Sequence, residues 1–279
     1  MRNIVLFVLL CFLIISCKPH TFEGTRSGKK DTVKTQEVTY TANRLSIEIP
    51  DVIKDRAEEI LFHEGFTISY NGDLGIPNWV AWELTDVRAD GKVKKSSRFY
   101  ADSLIQRGKR VDWFEYRDSP YERGHMCPAA DCKYSYKSMT QSNLMSNICP
   151  QTHELNNGGW RLLEEKCRNW VHRYKRMYIV CGPIIDKGVK YETIGKNDIA
   201  VPKQYFKVIL RFSEENKVET VGFIFNNDNT SQRIADHIVT VDSVENRTGF
   251  NFYPSLTKEQ ELSESVVNMD AWYRLLMSI

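Results

Sequence analysis

Three apolar stretches in the second half of this 279-residue chain constrain its fold most: Met177–Ile185, Tyr205–Phe212 and Thr220–Phe225. They are short and rich in β-branched and aromatic residues, and Gly182-Pro183 punctuates the first, so each reads as a buried strand. Trp79–Leu84 alternates as a strand should, and Ile60–Tyr70 leads into a strand and a turn at Asn71-Gly72. Helical periodicity is clearest over Trp160–Tyr174. There Leu163, Cys167, Trp170, Val171 and Tyr174 recur at spacings of three and four and form one apolar stripe. A second helix is expected from Lys258 to about Asn268, and Ala271–Met277 also reads as helical. Strands dominate and helices do not alternate with them, which predicts an α+β domain with a mostly antiparallel central sheet flanked by helices.

The N-terminus carries a different message. Arg2 precedes an apolar run, Ile4–Ile15, followed by Ser16-Cys17. A positive start, an apolar segment and a small residue at the end describe an export signal, too short for a membrane span of about 20 residues. The tetrad Ile14-Ile15-Ser16-Cys17 resembles a bacterial lipobox, in which Cys17 is lipidated and becomes the new first residue. Residues 18–45 are polar, with few large apolar side chains, and read as a tether. The expected organisation is therefore a signal peptide over 1–16, a tether over 17–45 and one folded domain over 46–279. The expected location is the bacterial cell envelope, in the periplasm or at the outer membrane surface, held to the membrane by the N-terminal lipid. No internal repeat and no Pro/Gly/Ser-rich break marks a second boundary.

A net charge of +2 does not announce a polyanion binder. The local counts differ. Arg88–Arg123 holds ten Lys/Arg against six Asp/Glu, and Trp160–Arg176 holds six against two. Both segments flank one histidine motif, so positive potential is focused there, unless each is simply a solvated face. Five cysteines lie outside the signal and lipid positions: Cys127, Cys132, Cys149, Cys167 and Cys181. The number is odd, an exported setting permits disulfides, and no CxxC pair suggests zinc.

The motif is Tyr121-Glu122-Arg123-Gly124-His125-Met126-Cys127-Pro128-Ala129-Ala130-Asp131. Downstream stand Ser146-Asn147-Ile148-Cys149-Pro150-Gln151 and Leu155-Asn156-Asn157-Gly158-Gly159-Trp160-Arg161-Leu162-Leu163-Glu164. One histidine, two asparagines and one glutamate within 40 residues are the groups needed for metal-assisted cleavage of a phosphodiester. Histidine accepts a proton near neutral pH, and amide and carboxylate oxygens suit a hard cation. His125, between Gly124 and Pro128 and beside Arg123, is the leading base, and His153 is its rival. On one straight helix, Asn156 and Glu164 would lie roughly 12 Å apart, at 1.5 Å per residue, too far to share one ion. Either Asn156 precedes the helix or Glu164 acts through water. Glu164 and Arg168 could equally form a plain i,i+4 ion pair.

These three blocks resemble the signature blocks of the DNA/RNA non-specific endonucleases. That family includes secreted bacterial nucleases and mitochondrial endonuclease G and belongs to the ββα-metal group. Asn78–Leu84, Val180–Pro183, Val201–Lys207 and Thr248–Pro254 are similar to its framework segments, in the right order, so the likeness covers roughly residues 60–256. The resemblance implies a ββα-metal nuclease fold and an endonuclease that hydrolyses DNA and RNA with little sequence preference, leaving 5′-phosphates and 3′-hydroxyls. It implies His125 as general base and Asn156 as the protein ligand of one Mg²⁺, with Mn²⁺ as the alternative ion. Glu164 would orient one of that ion's waters, and Asn147 would hold the hydrogen-bond geometry near the histidine. Arg123 would support substrate or local structure, and Arg98 resembles an upstream arginine that stabilises charge on the phosphate. The chain departs from the pattern at Glu122, where the motif usually has Asp, and at Cys127 and Cys149. The competing expectations are a non-catalytic nucleic-acid-binding surface lipoprotein of the same fold and a phosphodiesterase for another extracellular substrate. Oligomeric state is not legible.

Overall fold

The structure is a computed structural model and describes residues 46–51, 55–230, 233–270 and 272. The export signal, Cys17, the tether and most of the expected helix over Ala271–Met277 lie outside the described residues.

The chain begins with a hairpin, β1 (Glu59–Phe62) and β2 (Thr67–Asn71), where the sequence suggests one strand. Glu64-Gly65 breaks the run. A Cβ at Gly65 would fall 2.3 Å from Ser138 Oγ, so a side chain here would have to push Ser138 aside. At the next turn Asn71 Oδ1 accepts from the amides of Asp73 and Leu74, which fixes the expected reversal into β3 (Ile76–Thr85). After the short helix α1 (Asp86–Ala89), a long irregular stretch leads to β4 (Glu122–His125). Helix α2 (Tyr136–Ser142), β5 (Ile148–Gln151) and helix α3 (Trp160–Tyr174) follow. The remaining strands are β6 (Arg176–Pro183), β7 (Glu192–Ile194), β8 (Ile199–Val201), β9 (Gln204–Phe212), β10 (Val218–Asn226) and β11 (Ile238–Val239). The last helices are α4 (Val241–Thr248) and α5 (Lys258–Glu261).

Seven strands form one sheet in the order β1-β2-β3-β6-β9-β10-β11, with every neighbouring pair antiparallel. The α+β expectation holds. Both faces are covered, so alternate residues of the central strands enter two different cores. Val80, Trp82, Leu84, Ile179, Cys181, Tyr205 and Ile209 meet the stripe of α3, that is Leu163, Cys167, Trp170 and Val171. Trp79, Ala81, Val180, Phe206, Val208 and Leu210 meet Val241 and Val244 of α4 together with Phe250, Phe252 and Tyr253.

The helix expected over Lys258–Asn268 stops at Glu261. Thr257 and Gln260 form its capping box, but Glu264 O then turns to accept from Asp242 N, which takes the chain out of helical register. All five described cysteines are free and buried. Cys127 Sγ and Cys132 Sγ touch at 3.7 Å.

Candidate active site

The hairpin β4–β5 lies on the α3 face of the sheet, and together the three make a ββα unit. Its register pairs Gly124 with Cys149 and His125 with Ile148. Gly124 is required by packing: a Cβ there would fall 2.0 Å from Gln151 Oε1 and 2.4 Å from its Cδ. Trp160, at the first turn of α3, is buried and donates its indole N–H to the carbonyl of His125 at 3.1 Å. The histidine backbone is thereby clamped between the hairpin and the helix.

The His125 ring has one nitrogen committed. Nε2 lies 2.9 Å from Asn143 Oδ1. The Asn143 amide is oriented by its other end, where Nδ2 donates to the carbonyl of Ser96 at 2.9 Å, an atom that only accepts. So Oδ1 faces the ring, Nε2 carries the hydrogen, and Nδ1 keeps its lone pair. Burial pushes the imidazole down to about 4. The Asn143 bond opposes this, while the charges of Lys95 and Arg123 add to it. The ring is neutral at physiological pH and able to take a proton.

Asn147 acts one layer behind. Its Oδ1 accepts from Cys127 N at 2.9 Å, and its Nδ2 donates to Cys127 O and Ser142 O, both at 2.8 Å. It is fully buried and fixes the chain just after His125 rather than touching the ring. Its contacts near the histidine are thus with the backbone after it and not with the ring.

Asn156 precedes α3, in a wide π-type turn over Leu155–Gly159. Gly158 leaves helical geometry at φ −98° and ψ −118°, so the straight-helix separation from Glu164 does not apply. Glu122 holds the Asn156 amide. Its Oε2 accepts from Asn156 Nδ2 at 2.6 Å and from Asn157 Nδ2 at 2.8 Å, and its Oε1 lies 2.7 Å from His153 Nδ1. With Nδ2 occupied, Asn156 keeps Oδ1 as a free acceptor. Burial raises the Glu122 carboxyl, but the bonds from Asn156 and His153 outweigh it and hold the group below its ordinary range. His153, the rival base, is exposed, and Glu122 raises its pKa, which favours a cation rather than a base.

His125, Asn156 and Glu164 line one cavity of about 660 Å³, whose rim includes Lys92, Lys94, Lys95, Lys133, Arg161 and Arg168. The two basic segments of the sequence therefore meet at one place. Glu164 and Arg168 do not form the i,i+4 pair that their spacing allows. Arg168 NH1 instead donates to the buried Asp131 Oδ1 at 2.9 Å, and Trp82 Nε1 donates to Asp131 Oδ2 at 3.1 Å. Burial pushes the Glu164 carboxyl up to about 7, while Lys207 and Arg168 pull it back. The Arg123 guanidinium lies 4.7 Å over the Phe99 ring, which itself sits 5.4 Å from the His125 ring. Arg98 is exposed next to Phe99 and is not part of the cavity lining.

Among the described residues no three His, Cys, Asp or Glu side chains cluster for a metal. The donors here are one oriented amide oxygen and one carboxylate. That is a poor set for zinc and a suitable one for a hard ion that keeps most of its waters. Two site residues had no clear sequence signal. Asn143 is one of several asparagines nearby. Lys207 could have been noticed as a charge at an inward position of an otherwise apolar strand.

A family model described as DNA/RNA non-specific endonuclease matches residues 47–259. The chain belongs to this family. Members of the DNA/RNA non-specific endonuclease family are metal-dependent hydrolases of nucleic acids. The chain is 30% identical over 221 residues to the mitochondrial nuclease EXOG of Danio rerio, covering 75% of this chain and 64% of that one. It is 30% identical over 216 residues to mitochondrial endonuclease G of Bos taurus, covering 73% and 70%. It thus spans slightly less than two thirds of the Danio rerio protein. The crystal structure of the EndoG/EndoGI complex aligns with a TM-score of 0.71 at 28% identity, over 78% of this chain and 94% of that one. There the EndoG chain, a ββα-metal nuclease, is bound to an inhibitor.

Proposed function

We propose that this chain is an endonuclease that hydrolyses phosphodiester bonds of DNA and RNA with little sequence preference. One observation carries the reading: the oriented base His125 shares a basic cavity with Asn156 Oδ1 and Glu164. His125 Nδ1 takes the proton of the attacking water, and Asn143 Oδ1 steadies the imidazolium that results. The water oxygen bonds to phosphorus as the bond to the 3′-oxygen breaks, and the departing oxygen takes a proton from solvent, leaving a 5′-phosphate and a 3′-hydroxyl. Asn156 Oδ1 would hold a Mg²⁺ ion, or Mn²⁺, and Glu164 would reach it through water. When bound, the ion supplies neutralisation of charge on the phosphate and the leaving oxygen. Arg123, which lies over Phe99, would support the phosphate backbone or the local structure, and Arg98, although outside the cavity lining, would reach the phosphate from the exposed side. Contacts to phosphate carry no sequence information, so such a site is permissive.

The test is a plasmid assay with the soluble domain. Cleavage should need Mg²⁺, stop with EDTA, and be lost in His125→Ala. Cleavage that survives both treatments would end the reading. The N-terminal sequence adds a location: export, lipidation at Cys17 and attachment to the cell envelope, where an unselective nuclease is kept from its own chromosome. Radiolabelled palmitate should enter the full chain and be lost in Cys17→Ala. Among the described residues no helix is long and apolar enough to cross a membrane.

A further inference from the structure

Lys207 lies in the middle of β9, at a position whose neighbours on the same face, Tyr205 and Ile209, belong to the apolar core beneath α3. Its side chain is 1% exposed. An ammonium in such a place is costly unless a charge or a dipole answers it. No hydrogen-bond acceptor does so, since Nζ has no hydrogen-bond partner among the described residues. The answer comes from two ring faces and one carboxylate. Nζ sits 4.1 Å from the centre of the Trp160 ring, 5.6 Å from that of Trp82 and 3.9 Å from Glu164 Oε1.

Each wall of this cage is also a piece of the cavity above it. Trp160 donates to the carbonyl of His125. Trp82 donates to Asp131, which holds Arg168. Arg168, the other cation near Glu164, lies with it on the cavity wall and donates through NH1 to Asp131. Lys207 is the ion-pair partner of Glu164 and faces it from below, while the carboxylate, only 12% exposed, reaches the cavity from above.

We propose that Lys207 is a positioning residue, a buried cation that holds the Glu164 side chain aimed into the cavity, so that the metal affinity of the site depends on a group that never reaches the cavity. The inference rests on the proposed metal-dependent site. Both cations of the buried cluster act on both carboxyl groups, but Arg168 makes its hydrogen bond to Asp131 and Lys207 its ion pair to Glu164.

The test uses the folded domain and Mn²⁺ as the probe. Mn²⁺ binding is measured by electron paramagnetic resonance or calorimetry, with circular dichroism as the check on folding. Lys207→Met keeps the length of the side chain and removes the charge. It should weaken Mn²⁺ binding by roughly 10- to 100-fold, the range of outer ligand-supporting groups. Glu164→Gln should weaken it similarly, and the double variant should be no weaker than Glu164→Gln alone, because both changes remove one interaction. If Lys207→Met does not fold, Lys207→Gln is read the same way. Unweakened Mn²⁺ binding in the folded Lys207 variant, or full additivity in the double variant, overturns the inference. A wild-type domain that binds no Mn²⁺ overturns the metal-dependent reading of the site instead.

Discussion

At His125 the deciding partner is an amide. Asn143 Oδ1 accepts from Nε2–H and leaves Nδ1 with its lone pair, while burial takes the imidazole down to about 4. The sign follows directly. Above pH 5 the ring in the folded protein is already neutral, so kcat/KM between pH 5.5 and 8 should show no ionisation of His125. Asn143→Asp would place an anion against Nε2–H, favour the imidazolium and raise its pKa. The acid limb of the profile should then move upward by about a unit or more; a limb at the same pH in both proteins would refute the assignment. The same depression implies that stability falls as pH drops from about 6.5 towards 4, since the unfolded chain takes up that proton first. Glu122 supports a second prediction. Glu122→Gln sets an NH₂ group against donors that now share one carboxylate, so the Asn156 amide is free to turn its nitrogen to the cavity. Mg²⁺ affinity should fall roughly 10- to 100-fold in a binding titration. His125, Asn156 and Glu164 were legible in the sequence because they stand in a distinctive run. Asn143 was not, because only folding brings an asparagine at the end of α2 against a ring on β4.

Among the elements, the β4–β5 hairpin carries the tightest constraint. In Gly124→Ala the new methyl group meets the Cγ, Cδ and Oε1 atoms of Gln151, all within 2.6 Å. Relief requires the whole Gln151 side chain, which is buried, to swing aside. Overpacking of this kind costs about 1–3 kcal/mol, and Gln151→Ser should recover part of it in a denaturant titration. The elements also show where sequence patterns stop being informative. The stripe of α3 and the central strands are read correctly because burial on one face repeats at the period of the element. The break that makes β1 and β2 two strands is a turn closed by the bond from His63 N to Phe66 O, and Ser138, 73 residues away in the chain, packs against it at Gly65. The early end of α5 depends on a bond to α4. Near that end Glu264 is 5% exposed, and burial together with Glu245, Asp242 and Glu261 pushes its carboxyl up to about 8. A raised carboxyl favours the folded state below the ordinary value of 4.5, and that advantage is lost as pH rises towards 8. Glu264→Gln should therefore raise the melting temperature at pH 8.5 and matter little at pH 5, with roughly 2–4 °C expected for each kcal/mol gained. Equal effects at both pH values would contradict the burial argument.

For the molecule as a whole, a net charge of +2 conceals a strongly uneven surface. Lys92, Lys94 and Lys95 stand on the rim of the cavity, and the amide of Val93 between them is tied to the carbonyl of Lys133. The fold thus assembles one basic face from segments that are far apart in the chain, which no count of the whole sequence reveals. If that face holds the phosphate backbone, its contribution must come with counterion release and weaken with salt. Replacing Lys92, Lys94 and Lys95 together by serine should raise KM for duplex DNA at low salt. It should also flatten the slope of log affinity against log salt by roughly 0.9 for each phosphate contact removed. The change removes the Lys95 charge, a minor contributor to the depressed His125 imidazole, but leaves the bond from His125 to Asn143 in place, so kcat should fall far less than affinity. The measurement is steady-state cleavage of one duplex across a salt series, with wild type and variant side by side. Parallel salt slopes would mean that the lysines are a solvated face and that the substrate lies elsewhere. A slope that flattens while kcat holds would place the polyanion on this rim, directly over the histidine.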